Sequence, residues 1–450
     1  GTGGANALSK SIIIGSNALN STGGNVMTGA VAIGYEALTA LTSGAGNLAI
    51  GYQAMLTHTT GTGNIAIGYG AMNDTNAGST SLGSEYNVFI GYDAGGGTWT
   101  NAATSYNVGI GNFVMDSALA GVQYTTAVGH NALSAVTSGQ NNSVFGTQAG
   151  FAITTGGYNV ALGATSMLTH TTGGSNIAIG AGAMDDTDAG STSLGSEHNI
   201  FIGRDAGGGT WTDADSNRNV TLGNYTMDAA TAGALDNVAV GHYALSSITS
   251  GDYNTALGSN AGLSLTTGAD NVVIGYLAGD AMTNTGNTVL IGKGAGTAIN
   301  SDSANYTIAI GFDALANLTN GTGNIAIGGV TQKGITTGDN NIAIGYQAMT
   351  DFDAGVNSAN SSGNIAIGTS AMGGTVANTA CNDNIAIGRN TMAAALDGAL
   401  YNIAIGVTSL NDLTTGDKNV SIGNNALQKL TTGEGNVAIG YDAGGDGGSA

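Results

Sequence analysis

The chain has 450 residues with no proline, 79 glycines, 6% aromatic and 8% charged residues, and 42% hydrophobic residues. That apolar content excludes a solvated disordered linker, and high glycine without a three-residue period excludes collagen. Eight Lys and Arg (Lys10, Arg204, Arg218, Lys293, Lys333, Arg389, Lys418, Lys429) stand against 29 Asp and Glu, a net charge of −21, so nucleic acid and anionic membrane surfaces are poor partners.

A hexapeptide, GNIAIG at 63–68, 323–328 and 363–368, recurs in variant form from end to end. Its closing glycine marks 24 positions from Gly15 to Gly440, at intervals of 17 to 23 residues. A period of that size across a whole chain is the signature of a solenoid. The spacing predicts an all-β, parallel β-solenoid (β-roll) of about 24 coils of 17–23 residues.

Each position of the repeat has a predicted use. The residues one and three before the marker glycine are almost always aliphatic and β-branched, and the one between them is Ala in 15 copies. Strand side chains alternate, so the aliphatic pair shares one face and Ala takes the other. The Ala face reads as a flat surface covered by a neighbouring copy, giving side-by-side packing in a homo-oligomer. The alternative is that Ala is tolerated on an exposed face.

Four residues before the marker stands Asn in 19 copies: Asn47, Asn64, Asn87, Asn107, Asn142, Asn159, Asn176, Asn199, Asn219, Asn237, Asn254, Asn271, Asn324, Asn341, Asn364, Asn384, Asn402, Asn419 and Asn436. Stacked coils place these amides one above another, where each both donates and accepts. The marker glycine turns the chain out of the strand. Ala with Leu or Met follows as a second buried position, as at Ala37–Leu38 and Ala54–Met55, and Thr-Thr-Gly turns return the chain.

In chain order, solenoid coils at 1–50 lead into three six-coil super-repeats. From Gly51 the intervals run 17, 23, 20, 18, 17 and 17, and the same series recurs from Gly163 and from Gly328. The predicted segments are 51–162, 163–274 and 328–440, with coils at 275–327 and a tail at 441–450, all in one continuous array. Lacking an initial Met and a signal peptide, the chain reads as a segment of something longer.

The long coil carries the acidic loops AMNDTNAG (71–78), AMDDTDAG (183–190) and AMTDFDAG (348–355). Asp186, Asp188 and Glu197 could supply oxygen ligands to calcium, against a solvated acidic turn capping its own backbone. His58 and His170, His130 and His242, and Trp99 and Trp211 each lie 112 residues apart, which makes them scaffold copied with the repeat. Cys381 is the single cysteine, so no intrachain disulfide forms. No catalytic motif, zinc spacing or phosphate loop is present, and the chain reads as no enzyme.

The unit N-[IV]-A-I-G-x-x-A-L followed by T-T-G, matched at Asn64–Gly68, Asn176–Gly180 and Asn436–Gly440, resembles the head repeats of trimeric autotransporter adhesins (YadA-like). It is similar also to repeats of phage and bacterial tail fibres. The resemblance implies left-handed parallel β-rolls assembled as trimers. The period is longer than in those heads, and no anchor, stalk or chaperone segment is seen.

The expected function is that of a structural, adhesive repeat segment of an extracellular fibre, on a cell surface or a virion. It would attach to a surface receptor, a glycan among the candidates, without inserting into a membrane. The alternatives are a phage tail-fibre shaft for host recognition, a polysaccharide-active β-helix enzyme and an ice-binding solenoid.

Overall fold

The computed structural model of the chain describes residues 8–20, 27–75, 83–100, 102–187, 195–212, 214–351, 360–376 and 378–444. It divides into two compact units, residues 1–234 and 235–450, a boundary that falls inside the second super-repeat. Each unit is a parallel β-solenoid holding 12 three-residue strands, from Ile12–Ile14 to Val220–Leu222 in the first and from Val238–Val240 to Val437–Ile439 in the second. Every marker glycine follows one of these strands. A two-residue pair, Leu8–Ser9 with Met27–Thr28, and one turn of 3₁₀-helix at Asp302–Ala304 complete the regular structure among the described residues.

The strands pair in register whatever the length of the coil between them. Leu48 pairs with Ile65 across a 17-residue coil, and Ile65 pairs with Val88 across 23. The marker glycines form a column that only glycine fits: Gly51 has φ +139°, and a Cβ on it would lie 2.2 Å from the carbonyl oxygen of Gly68.

The two faces of the strand are the reverse of the sequence expectation. Ala32, Ala49, Ala66, Ala161 and Ala326 are fully buried inside the coil, while the flanking aliphatics lie outside and half-exposed. The Ala face is therefore no contact surface for a neighbour. The coil is narrow, and its interior already holds the Asn side chain, the Ala–Leu or Ala–Met pair and an apolar residue from the return turn, such as Leu41 or Ile153. Only a small residue fits between them.

Larger side chains enter where a partner position shrinks. Phe89 and Phe201 replace Ala, and opposite them stand Gly95 and Gly207, whose Cβ atoms would fall within 3.0 Å of the rings. Trp99 and Trp211 pack edge-on against these rings at 5.8 and 5.7 Å. The paired tryptophans are scaffold, as their 112-residue spacing suggests.

The buried Leu and Met of the second position adopt left-handed backbone, as in Leu38 (φ 52°) and Met55 (φ 54°). Such a conformation costs about 1 kcal/mol in a non-glycine residue. Full burial of the side chain offsets it, contributing on the order of 2 kcal/mol.

Candidate interaction surface

Of the 19 ladder asparagines, 18 are fully buried and Asn436 is partly so. Asn64 shows the pattern: its N–H and Nδ2 donate to Asn47 Oδ1 at 2.9 and 3.3 Å, and Nδ2 donates also to the Ser84 carbonyl at 3.0 Å. Thr stands at three of the five positions that lack Asn, Thr125, Thr288 and Thr307, with Ser11 and Ala30 at the other two. The Thr288 N–H and Oγ1 both donate to Asn271 Oδ1. The amides are occupied with one another and with backbone, which leaves the column a structural spine.

The outer face offers the chemistry available to a partner. In each unit the aliphatic pairs stack into two adjacent columns, with Phe145 at 41% exposure, Leu162 at 47% and Leu257 at 48%. A strip of that length is unlike the scattered apolar residues of an ordinary surface. Aromatic columns run with it: Tyr35, Tyr52, Tyr69 and Tyr92 follow consecutive marker glycines and stack at 5.2, 4.8 and 5.2 Å. Tyr86, Tyr106 and Tyr124 stack at 5.5 and 5.2 Å. The Gly-Tyr dipeptides at 34–35, 51–52, 68–69 and 91–92 were the sequence signal for the first column.

The calcium candidates do not converge. Asp186 accepts from the Thr210 hydroxyl, and its carbonyl accepts from the Trp211 N–H at 2.9 Å, so it ties its coil to the next one. Glu197 lies exposed beside His198 at 3.6 Å. Asp188 lies outside the described residues. No group of three His, Cys, Asp or Glu among the described residues is arranged to hold a metal ion.

A different carboxylate group was missed. Asp185, Asp205 and Asp228 come together from successive coils; burial, then neighbouring Asp205 and Asp186, raises Asp185 to about 6. Burial, then Asp205 and Asp185, raises Asp228 to about 6. The equivalent place in the first super-repeat holds Asn73, Asp93 and Asp116, and burial raises both of these aspartates.

Of the other singled-out residues His58, His170 and Cys381 are internal, whereas His130 and His242 are exposed. His58 is buried, its Nδ1 3.0 Å from Thr75 Oγ1 and its Nε2 3.3 Å from Asn64 Nδ2, and burial lowers it to about 4. Cys381 is buried, which pushes its thiol up to about 11, so it stays protonated and unreactive. The first hydroxyl of the return turns is engaged in a ladder of its own, Thr137 Oγ1 donating to the Thr154 carbonyl and Thr154 Oγ1 to that of Thr171, both at 3.2 Å. No helix among the described residues is long and apolar enough to cross a membrane.

The outer face is thus the feature to compare. No family model and no curated protein matches the chain.

Proposed function

We propose that the chain is a structural and adhesive repeat segment of an extracellular fibre, assembled from copies of itself through the outer aliphatic face. The observation that carries this reading is the double column of half-exposed Ile, Val and Leu. A repeated column of identical side chains is complementary to itself, and burying it removes apolar area from water at about 25 cal/mol per Å². Three copies enclosing one shared core would satisfy the head-repeat resemblance.

Such an assembly puts stiffness and multivalent contact ahead of chemistry, and the reading assigns the chain no catalysis. The high negative charge keeps assembled copies soluble and apart from one another. The test pairs assembly with attachment. Beads coated with the native chain should adhere to cells or matrix, and the Ile327→Lys, Ile344→Lys double variant should lose both self-association and adhesion. A native chain that adheres to no surface would overturn the adhesive role.

A further inference from the structure

One position of the return turns varies in size from coil to coil. Six residues before the marker glycine, consecutive coils carry Gln140, Gly157, Gly174 and Glu197. Two neighbouring coils therefore lack a side chain where those on either side have a long one. The glycine backbones sit close: a Cβ on Gly157 would stand 3.0 Å from the Gln140 carbonyl oxygen, and one on Gly174 would stand 3.0 Å from that of Gly157.

The result is an open notch of about 410 Å³ with Gln140 at one end and Glu197 at the other. Ser138 and Thr155 line it together with Tyr158 and Ser175. Its size falls within the range of small-ligand sites. The Gln140 amide is held in place by donating from Nε2 to the Gly121 carbonyl at 3.0 Å.

Tyr158 gives the notch its character. It is 67% exposed, and its column neighbours are Asn141 and Ser175, so no ring among the described residues stacks on it. The tyrosines of the two stacked columns, Tyr35 to Tyr92 and Tyr86 to Tyr124, cover each other's faces and present edges. Tyr158 presents a face.

An open aromatic face beside a carboxylate, a fixed amide and several hydroxyls is the chemistry that recognises a sugar. The ring takes the apolar C–H face of a pyranose, and the polar groups take its hydroxyls, with the carboxylate accepting from two adjacent ones. We infer that the notch between Gln140 and Glu197 is a binding site for an uncharged saccharide. Glu197 and the chain's net charge of −21 disfavour sialylated or sulfated sugars. The inference supplies the adhesive reading with a class of receptor and takes its biological sense from that reading, while sugar binding itself is measured separately from assembly.

Saturation-transfer NMR and titration on the full chain, with glucose, galactose, mannose and N-acetylglucosamine as probes and N-acetylneuraminic acid as the anionic control, test it. At least one neutral sugar should bind in the millimolar range. Tyr158→Asn, which copies the residue of the preceding coil and tolerates the left-handed backbone, should weaken it by about tenfold or more. Glu197→Gln should weaken it as well, with the solution mass unchanged in both. Sugar binding by a chain that remains monomeric upholds the notch and counts against assembly. An assembled chain that binds none of the four sugars, that prefers the anionic control, or that binds equally after Tyr158→Asn overturns the notch and leaves assembly standing.

Discussion

Asn87 Nδ2 donates to Asn64 Oδ1 at 3.0 Å, although 23 residues separate the two. The same bond joins Asn64 to Asn47 across 17 residues. The amide column is thus indifferent to coil length. Replacing Asn64 by Ala strands the Ser84 carbonyl and the Asn87 N–H in the interior, while Asn47 Oδ1 keeps the backbone N–H of residue 64. Buried groups left unpaired cost about 1–3 kcal/mol each. Chemical denaturation of the Asn64→Ala variant should show a loss of about 3 kcal/mol or more.

The glycines separate into two kinds by what surrounds them. Gly51 has both a positive φ and the Gly68 carbonyl in the way of a Cβ, whereas Gly46 (φ +68°) has nothing within 4 Å. Gly46→Ala should therefore cost about 1 kcal/mol, the ordinary left-handed penalty. Gly51→Ala should cost about 3 kcal/mol or more, because two strands must move apart. Equal melting temperatures for the two variants would contradict the column.

His58 gives stability a pH dependence of definite sign. Its unfolded value is 6.5 and its folded value about 4, so the folded chain holds it neutral. Its contribution is intact above pH 6.5 and is lost as pH falls towards 4, by about 3 kcal/mol in total. His58→Leu, matching Leu41 in the neighbouring coil, should flatten the stability profile across that window.

Asp185 acts in the opposite direction. Its raised folded value of about 6 against 3.8 unfolded means that the folded chain binds the proton more tightly. The ionised group weakens the fold above pH 6, and that penalty disappears as pH falls through 6 to 4. Asp185→Asn should stabilise the chain at pH 7 by about 0.5–1 kcal/mol, allowing for solvent screening at a group this exposed. The gain should vanish at pH 4.

Much of this architecture was legible in the sequence. The 24 markers located every strand that follows the repeat, and the Asn residues named the spine. The orientation of the strand was not read correctly, because alternation defines two faces without saying which is inward. The deciding signal was present: Asn64 and Ala66 are two residues apart and share a face, so an internal amide column carries Ala inside with it. The left-handed Leu38 and Met55 had no such signal, since burial overrides a local preference that favours glycine. The Asp185, Asp205 and Asp228 group was also hidden, because three different coils bring it together. Of the three carboxylates singled out instead, the described Asp186 and Glu197 serve separate contacts, one to Thr210 of the next coil and one to the adjacent His198.

The most direct test is the mass of the native chain by sedimentation equilibrium. The outer Ile, Val and Leu columns predict a species of three times 43.8 kDa that dissociates on Ile327→Lys with Ile344→Lys. A folded native chain sedimenting as a single 43.8 kDa species at all concentrations would contradict it.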